Sequence, residues 1–268
     1  MKSDATGLPT LSFFCQNTKF QHLPKKCIRV YGSHIQSILV EKYGFTLDAA
    51  EDATQTFLKT FRKCPENPKF VLHDWRLSLW RNSLGENYTD ISGDVYHQWL
   101  DLRYKYLAPS IEVLSMLKSL RKNYYLAVIT NGPSHSQWEK IERLDLAQYF
   151  HLILVSGDIK WEKPNENIFL EACLHFGVPA EECIMVGDKL ETDILGGIRA
   201  SLGGTIWMPL TESNRAEHEK SGSEIVPDCV IHDIGQLNNF LSSKVKLRRK
   251  SGSDQNSGNL SEAETEKS

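Results

Sequence analysis

The stretch that decides the fold is Cys183-Ile184-Met185-Val186-Gly187-Asp188-Lys189-Leu190-Glu191-Thr192-Asp193. Cys183 to Val186 is apolar without alternation, as a strand buried on both faces must be. Gly187 permits a tight turn from strand to helix. Asp188 and Asp193 follow, five positions apart, and a helical pattern runs over 190–200. In the simplest reading the two acids cap that helix and occupy its first turn. In the sharper reading both reach back to the strand end and share a site there.

The same unit recurs on either side. Helix 110–121 leads into the apolar strand Tyr125 to Thr130, and helix 135–144 into Leu152 to Val155. Helix 165–176 precedes Cys183, helix 190–200 leads into Gly204 to Trp207, and strand Cys229 to Ile231 leads into helix 233–241. Strands and helices alternating at this spacing predict βαβ units, hence a Rossmann-like parallel sheet with helices on both faces. Upstream, apolar positions recur at helical spacing from Ile35 through Phe57, Trp80 and Trp99 to Leu102, and Cys64-Pro65-Glu66-Asn67-Pro68 interrupts them. Four helices in a small bundle are expected there. The chain divides into an atypical N-terminal segment with the first core strand, 1–30, a helical region, 31–108, an α/β core, 109–242, and a tail, 243–268, too polar to order.

Open parallel sheets bind ligands beyond the carboxyl ends of their strands. Three such ends carry matching chemistry. Ile129-Thr130-Asn131-Gly132 offers a hydroxyl and free backbone N–H groups just before a helix, which suits a phosphate, although an ordinary turn has the same look. Trp161-Glu162-Lys163-Pro164 puts an ammonium in the next loop, where it can neutralise phosphate or simply stand in solvent. Asp188 and Asp193 supply the carboxylates that Mg²⁺ requires beside a phosphate. Each signal is weak alone. Together, in successive loops and a workable order, they point to one site.

Composition narrows the rest. The net charge is -3, so no global basic field recruits nucleic acid. The longest apolar stretch, Tyr124 to Ile129, is far too short for a bilayer, and Met1 to Phe14 lacks the form of a secretory signal. The six cysteines form no CxxC pair, which argues against structural zinc and for a reducing, cytoplasmic compartment. The basic run Lys244 to Lys250 reads as solvated tail.

On these segments the chain resembles the haloacid dehalogenase-like hydrolase superfamily over roughly 30–242. Thr130 matches that family's second motif, Lys163 its third, and Gly187-Asp188 with Asp193 its fourth. The helices of 31–108 stand where the family inserts a cap after the first strand. Ile129-Thr130-Asn131-Gly132, Glu162-Lys163-Pro164 and Met185 to Ile194 followed by Gly196-Gly197 look most similar to the N-acylneuraminate-9-phosphatase group. The resemblance implies Mg²⁺-dependent hydrolysis of a small phosphorylated metabolite, such as a sugar-acid phosphate. It implies that Thr130, Asn131 and Lys163 hold the phosphoryl group. Asp188 then ligates the metal, and Asp193 serves the metal or holds Lys163, while the cap excludes water and selects substrate. Arg103, Tyr104 and Lys105, late in the cap, are further candidates for substrate contact, although a solvated helix face explains them as well.

One part departs from the pattern. The family's chemistry starts from an Asp-x-Asp pair at the end of the first strand, the first Asp attacking phosphorus and the second working as acid and base. Here Leu11-Ser12-Phe13-Phe14 is followed by Cys15, where the nucleophile is expected, and Asn17 takes the second place. Neither is a carboxylate, so Mg²⁺ is expected to bind weakly. The sequence argues against a cysteine phosphatase, because its loop ends in an arginine six residues after the thiol and the residues here are Gln21, Ser33, Phe70, Pro179, Lys189 and Gly235. Two accounts remain, a non-catalytic relative that binds a phosphate ligand or a partner, and an alternative first segment replacing the strand that bears Asp-x-Asp. The second fits better, because everything after Cys27 keeps the pattern. Carbon–halogen hydrolysis needs the same missing Asp and leaves the phosphate-type loops unexplained. A first strand this poor is expected to be short, displaced or poorly ordered.

Overall fold

The structure, a computed structural model, describes residues 12–15, 25–64, 71–221, 224–237 and 241. Six strands form one all-parallel sheet in the order β3-β2-β1-β4-β5-β6. They are β1 (Ser12–Cys15), β2 (Leu126–Thr130), β3 (Leu152–Val155), β4 (Cys183–Gly187), β5 (Gly204–Trp207) and β6 (Cys229–Val230). The chain runs outward from β1 to β3, then returns past β1 to β4 and runs outward again. That reversal creates the crevice in which such sheets bind ligands.

Alternation within each strand covers both faces. Leu126, Ile184, Val186 and Ile206 pack on one side with Leu117 and Leu120 of α5 (Ile111–Leu120) and Ile141 of α6 (Ser134–Arg143). Ala127, Ile129, Cys183 and Met185 pack on the other with Ile168, Phe169 and Cys173 of α7 (Asn167–Phe176). Each fully buried side chain of this size contributes about 1.5–3 kcal/mol. Local signals set the helix ends. Ser110 caps α5 by accepting from the Val113 N–H, and Gly177 ends α7 in the left-handed conformation at φ 65°.

Between β1 and α5, where the cap was expected, lie four α-helices among the described residues, α1 (Lys25–Tyr43), α2 (Leu47–Phe61), α3 (Leu72–Leu84) and α4 (Ser92–Leu107). They enclose a core of their own, in which Phe57 stacks on Trp80 at 4.0 Å and meets Trp99 edge-on at 4.9 Å.

The first strand is not displaced, and its described residues are as many as those of β3 and β5, four in each. β1 occupies the sheet centre and pairs with β2 at three positions and β4 at four. The helical region expected from residue 31 starts earlier, since α1 begins at Lys25, where Ile28, Tyr31, Ile35 and Leu39 continue the helical spacing without a break. The helix expected over 190–200 opens instead as a π-helical turn, Leu190–Ile194, before α8 (Leu195–Arg199). After α9 (Glu212–Ser221) and β6, a short turn at Ile234–Gln236 stands where helix 233–241 was expected to begin. No helix among the described residues is long and apolar enough to cross a membrane. Asn17, the tail and its basic run lie outside the described residues.

Candidate active site

The register of β1 locates the site. Cys15, its last residue, pairs with Val128 and Val186. Two residues further along each neighbour stand Thr130 and Asp188. The position expected of a nucleophile thus lies at the crevice, between the phosphate-type loop and the acidic loop.

Lys163 ties these loops together. It is not a solvated lysine, for its side chain is 0% exposed. The ammonium donates to the Ile129 carbonyl at 2.6 Å and pairs with Asp193 Oδ1 at 3.0 Å. Its backbone N–H donates to Asn131 Oδ1 at 2.9 Å, and its carbonyl accepts from Asn131 Nδ2 at 2.8 Å. Asn131 thereby clamps the lysine loop to the end of β2. A buried ion pair persists only with its remaining sites satisfied, and Asp193 meets that requirement. Its Oδ2 accepts the Lys189 N–H at 3.0 Å, and its Oδ1 lies 3.4 Å from the Thr192 hydroxyl.

The π-helical turn aims Asp193 back at the strand end, and Gly187 makes the approach possible. A Cβ on Gly187 would overlap the Asp193 side chain. Close approach, rather than turn geometry alone, requires the glycine. Asp188 is different. Its Oδ1 is buried and has no hydrogen-bond partner among the described residues. Burial first, and then the Asp193 carboxylate, push Asp188 up to about 7, against the pull of Lys189 and Lys163. An orphaned carboxylate oxygen of this kind suits a hard cation. It is a single ligand, however, since both oxygens of Asp193 are engaged within the protein. No group of three or more His, Cys, Asp or Glu that could hold a metal occurs among the described residues. The described donor set fits Mg²⁺ only in part.

Sequence reading missed Gln137. This buried residue of α6 accepts from the Thr130 hydroxyl at 3.2 Å and donates to the Asn131 carbonyl at 3.2 Å. It sits seven residues after Thr130, in the helix that follows the loop. Gly132 makes room for it, with φ +132° and a missing Cβ that would strike the Gln137 amide. Gln137 Oε1 also accepts from Lys140 Nζ at 2.9 Å. Arg103 is likewise not on a solvated face. It is 7% exposed, with its guanidinium 4.9 Å from the centre of the Phe61 ring, whereas Lys105 is exposed.

The model for haloacid dehalogenase-like hydrolases matches residues 47–203. The chain belongs to this family. The match begins beyond β1, and so does not reach the departure at Cys15. Curated relatives include N-acylneuraminate-9-phosphatases. The rat protein is 34% identical over 187 residues, covering 66% of this chain and 75% of that one. The human protein is 32% identical over 211 residues, covering 77% and 83%. A glyceraldehyde 3-phosphate phosphatase of Methanopyrus kandleri is 37% identical over 137 residues, covering 51% and 56%. By family resemblance the chain is a phosphatase. Solved structures share the fold. The 2-haloacid dehalogenase of Pseudomonas syringae aligns with a TM-score of 0.54 at 21% identity, covering 88% of this chain and 99% of that one. Bacillus subtilis YfnB, bound to magnesium, aligns with a TM-score of 0.52 at 20% identity, covering 87% and 99%.

Proposed function

We propose that this chain binds a small phosphomonoester, a sugar-acid phosphate of the N-acylneuraminate 9-phosphate kind, at the ends of β2 and β4. The observation that carries the reading is the buried Lys163, held by Ile129, Asn131 and Asp193 where those strand ends meet. A phosphoryl group there meets the Thr130 hydroxyl, turned from Gln137, the Asn131 N–H, and the Lys163 ammonium, while the Gly132 N–H is taken by the Ser156 hydroxyl. Low dielectric strengthens each contact. Asp193 positions Lys163. Asp188 is the ligand for Mg²⁺, which supplies charge neutralisation at the phosphoryl oxygens when bound. One carboxylate makes a weak site. The substrate reading draws support from the N-acylneuraminate-9-phosphatases at 32–34% identity.

Turnover is a separate matter. Hydrolysis in this family needs a carboxylate that attacks phosphorus and displaces the alcohol, forming an acyl phosphate that water then cleaves to inorganic phosphate and the free carboxylate. Cys15 ends β1 at that place, and Asn17 offers no acid for the leaving oxygen. We therefore read the chain as a binding scaffold with impaired hydrolysis. The second reading, a non-catalytic phosphate-ligand or partner-binding protein, draws support from the same two residues.

The test measures phosphate release and binding together. The 268-residue chain with Mg²⁺ is expected to hydrolyse N-acetylneuraminate 9-phosphate about 10³–10⁶-fold more slowly than its Cys15→Asp/Asn17→Asp variant. Asp188→Asn in that variant abolishes the gain. Calorimetry is expected to detect inorganic phosphate binding to the unaltered chain. Robust turnover by the unaltered chain overturns the impairment. An inert double variant that still binds phosphate favours the non-catalytic reading.

A further inference from the structure

A chain of three side chains, Thr130, Gln137 and Lys140, braces the phosphate-type loop. Gln137 Nε2 donates to the Asn131 carbonyl at 3.2 Å, and Gly132, lacking a Cβ, leaves room for that amide. Gln137 Oε1 accepts from the Thr130 hydroxyl at 3.2 Å and from Lys140 Nζ at 2.9 Å. Turned over, the amide would aim its N–H groups at those of Lys140 and its oxygen at a carbonyl, so its neighbours fix its orientation.

An amide oxygen has two lone pairs, and Thr130 and Lys140 take both. Thr130 and Gln137 are buried, so water is a poor substitute for either donor. A hydroxyl, in turn, has one hydrogen to donate. In the empty protein the Thr130 hydrogen points to Gln137. A dianionic phosphoryl oxygen is an acceptor only, so binding it requires that hydrogen to turn away from Gln137. The turn removes one of the two donors at Gln137 Oε1, and Lys140 stays as the other. Without Lys140 the same turn strands a buried amide oxygen, and the desolvation penalty of that atom opposes binding.

We propose that Lys140 is a positioning residue of the phosphate site. It keeps Gln137 Oε1 paired while the Thr130 hydroxyl turns to the phosphoryl group, and so makes Thr130 available as a donor. It acts through Gln137 and Thr130 and does not itself touch the ligand. This deepens the phosphate-binding reading above and rests on it.

Two double-mutant cycles on the full chain test the proposal at one fixed pH, and both combine Lys140→Met with Thr130→Val. The first reads affinity for inorganic phosphate by calorimetry. Lys140→Met is expected to weaken binding about tenfold. Thr130→Val also weakens it, and Lys140→Met is expected to add nothing in that background, where no hydroxyl is left to turn. The second cycle reads urea unfolding without ligand. Either donor alone keeps Gln137 Oε1 paired there, so the double variant is expected to lose more stability than the two single variants together. Repacking and the loss of the lysine charge enter both arms of each cycle and cancel. A loss of affinity that persists undiminished in Thr130→Val overturns the proposal, because charge acting through space behaves in that way. Additive losses in unfolding overturn it too, and that cycle reports even where Thr130→Val binds phosphate too weakly to measure. Phosphate binding by the unaltered chain that Lys140→Met leaves unchanged overturns the proposal alone. Absence of phosphate binding by the unaltered chain overturns the phosphate reading and the proposal with it.

Discussion

Lys163 and Asp193 exchange two desolvation penalties for one ion pair, and both side chains are 0% exposed. Removing one partner strands the other. Lys163→Met is therefore expected to cost about 3–5 kcal/mol, read as a lower urea midpoint with an unchanged slope. Wild-type stability in that variant would show that the pair contributes nothing net. Lys140 follows a different linkage. Its folded-state value lies near 7 and its unfolded value near the ordinary 10.5. Between these two values the unfolded chain binds more protons, so this group makes stability rise with pH across that window. Burial does most to set that value, Arg103 and Arg76 lower it further, and Glu139 and Cys64 oppose them, with Gln137 the hydrogen-bond partner. Lys140→Met is expected to flatten the slope of stability against pH between 7 and 10, and denaturation at pH 7 and 9.5 decides it.

At the scale of elements, one contact joins α3 of the cap to α6 of the core. Arg76 is 0% exposed and Glu139 20% exposed, with 2.7 Å between them. The two ends of this pair are not equivalent. Glu139→Gln leaves a buried guanidinium with no counter-charge among the described residues, at a cost of about 3 kcal/mol, toward the low end because Glu139 is partly wet. Arg76→Met leaves Glu139 with Arg143 and lays an apolar chain against the Phe61 and Trp99 rings, so it is expected to cost less. Unfolding of the two variants side by side tests the asymmetry, and equal losses would refute it. The helix over 190–200 teaches the same lesson about elements. Its apolar spacing is genuine, but the π-helical turn at its start is fixed by Asp193 folding back onto the Lys189 N–H and Lys163. Tertiary partners, not local propensity, chose that geometry.

For the whole molecule, β1 is the join. β2 and β3 lie on one side of it and β4 to β6 on the other, so its few residues carry the backbone pairing that makes one sheet of two halves. A proline there removes a ladder donor in a central strand. Phe14→Pro is expected to cost about 3 kcal/mol or more and to separate the unfolding of the two halves. A single cooperative transition at the wild-type midpoint would mean that β1 adds little. The same placement gives Cys15 its importance, since a central strand ends at the crevice of the sheet.

The sequence by itself determined the parallel α/β architecture, the helical insertion before it, and the strand ends bearing Thr130, Lys163, Asp188 and Asp193. These are local properties, written in apolar runs, helical spacing and the residue that follows each strand. It also showed the missing carboxylates at Cys15 and Asn17. Only the tertiary structure decided that Lys163 is buried against Asp193, that Gln137 braces Thr130, and that Arg76, Arg103 and Lys140 share one seam. Those partners are 30, 7 and up to 64 residues apart in the chain, and no periodicity links them. Lysines and arginines on amphipathic helices look alike in sequence whether they face water or another element. Burial and the charges brought alongside distinguish them, and both arise only from the packing of elements that are distant in the chain.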